Sequence, residues 1–318
     1  MSVLQRLDPE LLPVVRQVPI IDLTDIDAAR AALHEVFRQI NVAPPNPAVE
    51  RTDETAPGIG GGPAVRMRRF RPSGTREVLP CLYWIQGGGY VLTSLDLDDQ
   101  WCEQIADQLH CTVISVDWRR APEHPFPAAS DDCYAGLSWV MQNAKALDID
   151  PHRVVVGGAS SGGGAAASLA LRVRDRGEFT FAHSLLIYPM LDDTNTTHSS
   201  KLVTDPELWN RRNNELAWRA YLGSSFGTAD VSPYAAPSRM ADLSGLPPTT
   251  ILTGELDLFA DEDIDYAQRL LHAGVPTELH VYPGAHHGFD RHVPGATVSR
   301  RLFADRDAAL RRAFGLPR

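Results

Sequence analysis

Lysine is almost missing from this chain: Lys145 and Lys201 are its only two among 30 basic residues. Nowhere do five Lys or Arg gather in a block, and 40 acidic residues set the formal charge at −10. That excludes the electrostatic footprint of a nucleic-acid binder or of a protein held on an anionic membrane surface. Long apolar runs are missing too. Nothing approaches the ~18 residues of a membrane span. The opening segment, Met1–Gln17, has no basic stretch ahead of a sustained apolar one. A secretory signal is therefore not expected, and the expected compartment is the cytoplasm. Cysteine is scarce. Cys81, Cys102, Cys111 and Cys133 form no C-x-x-C pair and no zinc spacing, which points to reduced core thiols. Apolar residues are plentiful, 43% of 318 against 22% charged, so a large core is available and disorder is excluded as the main state.

This length would allow two domains, but α/β sheets with insertions reach it as one unit. The first forty residues read as helical. Asp8 before Pro9 suits an N-cap with proline in the first helical position. A second helix is expected from Thr24, with Asp27 three residues on as a capping-box variant. Ile26, Ala29, Leu33, Val36, Phe37 and Ile40 keep a helical period along it, so one face is buried. That face either completes a core or closes over a pocket. Asn41–Pro47 then breaks the pattern, and Ala56–Pro63 reads as a turn between short strands near 49–55 and 64–70.

Beyond it, buried strands alternate with helical stretches. The apolar runs are 81–86, 112–117, 153–158, 184–188, 249–253 and 278–282. Helical candidates fall near 96–109, 128–146, 161–176, 206–222, 260–273 and 297–313. The alternation implies an α/β fold, a mostly parallel sheet with helices on both faces. About sixty residues separate the runs at 184–188 and 249–253, too many for a simple crossover. An inserted cap is expected within roughly 192–245.

Ligands of open parallel sheets bind beyond the carboxyl ends of the strands. There, Gly158-Ala159-Ser160-Ser161-Gly162 matches G-x-S-x-G. A sharp strand-to-helix turn thrusts such a serine outward and brings the flanking glycines close together. A second match, Gly223–Gly227, follows a helical stretch and precedes none, so it reads as a helix-terminating loop. No G-K-[ST] follows Ser160, which excludes a P-loop. A serine nucleophile needs a base and an orienting carboxylate, here in the order Ser, Asp/Glu, His. Thr253–Asp257 follows one strand and offers Glu255 and Asp257; Tyr282–Phe289 follows the next and offers His286 and His287. With Asp290 and His292 close by, a metal site is conceivable on paper, but adjacent histidines rarely share a metal and no H-E-x-x-H occurs. Gln86-Gly87-Gly88-Gly89 follows a buried strand and supplies unhindered backbone N–H donors for an oxyanion.

These segments together resemble the hormone-sensitive-lipase-like family of α/β-hydrolases, the bacterial family IV esterases. The matching stretches are Gln86–Leu92, Asp117–Ala129, Gly158–Gly163, Ser232–Pro237, Gly254–Glu262 and His287–Phe289. The resemblance implies Ser160 as nucleophile, Asp257 as orienting acid and His287 as base, with oxyanion donors on the N–H groups of Gly88, Gly89 and Ser161. It implies a helical cap from residues 1–45 and about 192–235, on an α/β-hydrolase core at 46–318. His286 is expected to pack on its loop or to face solvent. Three positions depart from the family's habit: Gln86 where it has His, Ala159 where Asp or Thr is common, and Ser161 where Ala is common. The implied activity is carboxylic ester hydrolysis on short acyl esters, without metal or organic cofactor, by a monomer or homodimer. The rivals are a specialised lactone, carbamate or amide hydrolase and a non-enzymatic ligand receptor. The plant gibberellin receptors resemble this family yet lack its catalytic histidine.

Overall fold

A computed structural model of the chain describes residues 2–40 and 44–317. Its apolar runs become β3 (Leu79–Ile85), β4 (Thr112–Asp117), β5 (Ile149–Ala159), β6 (His183–Ile187), β7 (Thr249–Gly254) and β8 (Thr277–Tyr282), preceded by β1 (Val49–Ala56) and β2 (Val65–Pro72). All eight join one sheet in the order β1-β2-β4-β3-β5-β6-β7-β8, antiparallel across β1, β2 and β4 and parallel elsewhere. β3 reads Leu-Pro-Cys-Leu-Tyr-Trp-Ile and every residue is buried, as a strand covered on both faces must be. Its side chains alternate between two cores: Cys81, Tyr83 and Ile85 face one, Leu82 and Trp84 the other. The edge strand β1 reads Val-Glu-Arg-Thr-Asp-Glu-Thr-Ala and is charged along its length, which blunts further pairing.

The helices are α1 (Leu12–Val15), α2 (Ile26–Ile40), α3 (Asp99–Gln108), α4 (Ala128–Gln142), α5 (Ser161–Arg176), α6 (His198–Leu202), α7 (Arg211–Leu222), α8 (Ala260–His272), α9 (Phe289–His292) and α10 (Thr297–Phe314). Among the described residues, no helix is long and apolar enough to cross a membrane. Cys81, Cys102, Cys111 and Cys133 are buried free thiols, as expected.

The first forty residues are less helical than their pattern implies. Asp8 caps only a turn, its Oδ1 accepting the Glu10 N–H at 2.8 Å, and the helix that follows is the single turn α1. Asp25 rather than Thr24 caps α2: its Oδ1 accepts the Ala28 N–H at 2.9 Å, while Thr24 bonds to Asp22. The expected face residues Val36, Phe37 and Ile40, and the linker residues Asn41–Ala43, lie outside the residues whose side chains or positions are described. The helix expected from 206 begins later, at Arg211, because Asn210 Oδ1 accepts the Asn213 N–H and starts it there. That helix and α6 occupy the long connection between β6 and β7, where an insertion was expected.

The chain leaves β3 to build β4 on one side and returns to build β5 on the other. The loops after β3 and β5 therefore diverge and leave a crevice at the carboxyl ends of these two strands.

Candidate active site

Ser160 stands between β5 and α5 with φ +58° and ψ −126°, a conformation that a side chain rarely adopts and that costs roughly 1–3 kcal/mol. The backbone around it holds the strain: its N–H donates to Ile187 O at 2.9 Å, and its carbonyl accepts from Gly164 and Met190. Glycine is required on either side. A Cβ on Gly158 would run into Gly162 O, and one on Gly162 into Ile85 O and Gln86 O. The strand-turn-helix expected from the motif is thus present. The rejected match at Gly223–Gly227 lies where α7 ends in a 3₁₀ turn, as expected.

β7 and β8 deliver the two other groups. Asp257 is fully buried past the end of β7, and its Oδ1 accepts the Phe259 N–H at 2.9 Å. Its Oδ2 stands 2.8 Å from His287 Nδ1. His287 Nε2 is 3.0 Å from Ser160 Oγ. The imidazole is held edge-on between Tyr188 and Phe259, with ring centroids at 4.7 and 5.0 Å. The structure does not bring Glu255 to the imidazole. Its carboxylate accepts from Arg6 at 2.7 Å and from the Gly284 N–H at 3.0 Å, tying the chain's start to the loop after β8.

His286 does not face solvent. It is fully buried, packed on its own loop, with Nε2 3.0 Å from His292 Nδ1 and the two rings stacked at 5.3 Å. Burial holds the His286 imidazole well below its ordinary pKa, and burial likewise lowers His292 to about 4. Among the described residues, no group of three or more His, Cys, Asp or Glu is arranged to hold a metal ion.

The loop after β3 reaches the same place. Gly88 and Gly89 line a cavity together with Ser160 and His287, and both have positive φ, +126° and +58°. Ser161 differs. It is fully buried as the first residue of α5 and is not on the cavity wall, though its N–H belongs to the unpaired first turn of that helix. Gln86 is buried, and its Nε2 donates to Ser115 Oγ on β4, while its Oε1 is unpaired. The cavity measures about 280 Å³. Val18, Ile21 and Leu33 from the chain's start and Leu208 and Trp209 from the β6–β7 connection form part of its walls. These two segments are joined directly: Asn213 Nδ2 donates to Ile21 O at 2.6 Å, and its Oδ1 accepts the Leu23 N–H.

Several wall residues escaped the sequence reading. Tyr188 directly follows β6, so the rule that sites gather at strand carboxyl ends could have found it. Trp209, Asp98 and Arg291 carry no periodic or motif signal that marks them, and His292 was noted only as a conceivable metal ligand.

Residues 82–291 match a family model described as the alpha/beta hydrolase fold. Carboxylesterase NlhH of Mycobacterium tuberculosis is 33% identical over 91% of this chain and 90% of its own. Esterase LipI of the same organism is 33% identical over 92% and 91%. Among solved structures, a bacterial heroin esterase superposes with a TM-score of 0.95 at 41% identity, covering 98% of this chain and 99% of that one. Esterase LipW from Mycobacterium marinum gives 0.88 at 38% identity, covering 98% and 97%. With its eight-stranded sheet and these relatives, the chain belongs to the α/β-hydrolase fold family, in the hormone-sensitive-lipase-like branch that its motifs resemble.

Proposed function

We propose that this chain hydrolyses carboxylic esters through an acyl-enzyme on Ser160, with His287 as base and Asp257 as its orienting acid. That it is an ester hydrolase of the α/β fold follows from kinship, since the relatives matched over nine tenths of its length are a carboxylesterase and esterases. The observation that carries the mechanism is the pair of contacts at His287, 2.8 Å to Asp257 and 3.0 Å to Ser160. With Nδ1–H donated to the carboxylate, Nε2 is left as the acceptor for the serine proton. Ser160 Oγ then bonds to the ester carbonyl carbon, and the proton moves to Nε2. His287 returns that proton to the leaving alcohol as the tetrahedral intermediate collapses. Water repeats the sequence on the acyl-enzyme and frees the acid. Negative charge on the carbonyl oxygen is met by the N–H groups of Gly88 and Gly89, with Ser161 N–H as the third donor at the start of α5.

Residues 1–45 and about 192–235 act as the cap over a core spanning 46–318. The apolar walls they contribute and the volume of about 280 Å³ favour short acyl chains. A receptor without chemistry would have no need of a base in contact with the serine. No organic cofactor enters the reaction, the partner is a small ester, and a monomer or homodimer in the cytoplasm is the working form.

A panel of p-nitrophenyl esters and lactones of increasing acyl length tests the reading, together with a serine-directed phosphonate followed by peptide mapping. Turnover that peaks at short chains, with the label on Ser160, is the expected result. Ser160→Ala should remove turnover by several orders of magnitude and Ser225→Ala should do little. A label on Ser225, or a panel turned over only as lactones, would overturn the assignment or the substrate class respectively.

A further inference from the structure

Beside the triad lies a pair of imidazoles in mutual contact that hydrolysis leaves unused. His292 lies on the wall, and His286 lies behind it in the core. The two share one short contact, His286 Nε2 to His292 Nδ1 at 3.0 Å. One proton occupies that contact, and the rest of the surroundings decides which ring owns it. His286 Nδ1 is buried with no partner. Were the proton on His292 Nδ1, a neutral His286 would carry its own proton on Nδ1, as a buried N–H without an acceptor. An orphaned N–H is rarer and more costly inside a protein than an unused lone pair. The proton therefore sits on His286 Nε2 and is donated to His292 Nδ1. Burial disfavours the charged form of both rings. A neutral His292 that accepts at Nδ1 must carry its hydrogen on Nε2.

No acceptor for that N–H is found among the described residues, and His292 is one of the residues that line the cavity. It lies by Gly288, the residue after His287: a Cβ built on Gly288 would stand 3.8 and 4.0 Å from His292 Cε1 and Nε2. The charges nearby decide what it can receive. Arg291 donates to Asp98 at 2.8 Å and lies 3.9 Å from Asp290. Glu207 adds a carboxylate to the same cavity. Among the described residues, two carboxylates, Asp98 and Glu207, line the cavity beside one guanidinium, that of Arg291, which disfavours a carboxylate ligand and leaves a neutral acceptor.

Building on the esterase reading above, we infer that His292 Nε2–H is a specificity-determining donor, positioned by His286, for esters carrying a second, neutral carbonyl oxygen close to the scissile bond. Keto esters and diesters are the substrate class.

The experiment compares isosteric pairs in which the second carbonyl is replaced by a methyl-bearing carbon. Ethyl acetoacetate is set against ethyl isovalerate for the acyl side, and acetonyl butyrate against isobutyl butyrate for the alcohol side. Dividing the wild-type ratio of kcat/KM by that of a variant cancels the intrinsic reactivity of each ester. His292→Asn keeps an acceptor for His286 and removes the cavity donor; it should lower the ratio roughly tenfold for at least one pair, the scale of one hydrogen bond. His292→Gln restores a donor near the Nε2 position and should retain most of the preference. As the positioning residue, His286 is tested by ¹⁵N NMR of the imidazoles, in which His292 should be protonated at Nε2 and free at Nδ1, and His286→Phe should let both tautomers appear. Protonation of His292 at Nδ1 in the wild type, or ratios that His292→Asn leaves unchanged for both pairs, would overturn the inference. If the tautomer is as stated but none of the four esters is turned over, the esterase reading itself fails and the substrate class falls with it.

Discussion

The buried carboxylate of Asp257 is used on both oxygens: Oδ2 meets His287 Nδ1 at 2.8 Å while Oδ1 accepts the backbone N–H of Phe259 at 2.9 Å. The second bond fixes the plane of the carboxylate, and the carboxylate fixes the imidazole tautomer. Asp257→Asn keeps the shape and can keep the Phe259 bond, but its amide can turn an N–H toward Nδ1 and stabilise the wrong tautomer. It should fold like the wild type and lose about 10⁴-fold in kcat. His287→Ala should lose at least as much. His286→Ala should cost less than ~10-fold on a simple alkyl ester, because its ring faces His292 and not Ser160. Steady-state kinetics on p-nitrophenyl acetate, with circular dichroism for folding, decides it. A larger loss in His286→Ala than in His287→Ala would move the base to the other histidine.

Gln86 occupies the position where the resembling family has histidine, and its Nε2 donates to Ser115 Oγ on β4. This bond anchors the start of the loop that carries Gly88 and Gly89, so its loss should misplace donors needed mainly in the transition state. Gln86→Ala should therefore lower kcat by ~10- to 100-fold with a smaller change in KM. Ser115→Ala should do the same, and the double variant should be no worse than either single one. Additive losses would separate the two residues. Gln86→His should keep much of the rate if anchoring is the whole role.

The sheet was legible because β3, β4, β6, β7 and the second half of β5 are short, almost wholly buried runs, and a strand covered on both faces is largely apolar, whereas the edge strand β8 is only half-buried and keeps Glu278 and His280. Ser160 was legible for a steric reason, since only glycine fits at Gly158 and Gly162. Choosing between Glu255 and Asp257, or His286 and His287, needed the family pattern, as all four sit on strand-end loops. The helical reading of residues 1–25 held only for short turns, Val3–Arg6 and α1, because Asp8 and Asp22 bond to backbone N–H groups two residues on, forming turns that compete with longer helix. His286 and His292 were noted in the sequence only as neighbours, and their direct contact was not legible, because they meet across the turn into α9 where Gly288 has a left-handed φ.

Asp263 yields the last prediction, and it concerns stability. The side chain lies in the first turn of α8, fully buried, with neither carboxyl oxygen hydrogen-bonded. Burial, reinforced by the neighbouring Glu262, pushes its pKa well up, so the folded chain holds this proton to a higher pH than the unfolded chain does. An unfolded chain releases it above about 3.9. Between those two values the native state binds more protons than the unfolded one, so this group makes stability fall as pH rises. Glu262 is raised by burial too and acts with the same sign. The buried His183 and His292, both lowered to about 4, act with the opposite sign, because their unfolded forms bind protons first as pH falls below ~6.5. The absolute pH curve mixes these contributions, whereas the difference between two variants isolates one. Asp263→Asn replaces the carboxyl with a neutral group of equal shape, beside a Thr253 hydroxyl that is itself unpaired. Relative to wild type it should gain ~1–3 kcal/mol at pH 7, and the gain should shrink steadily toward pH 4. Urea unfolding at pH 4, 5, 6 and 7 measures that difference directly. A gain that does not vary with pH, or one that grows toward acid, would mean that Asp263 is ionised in the folded protein and paired in some way that its unbonded oxygens do not suggest.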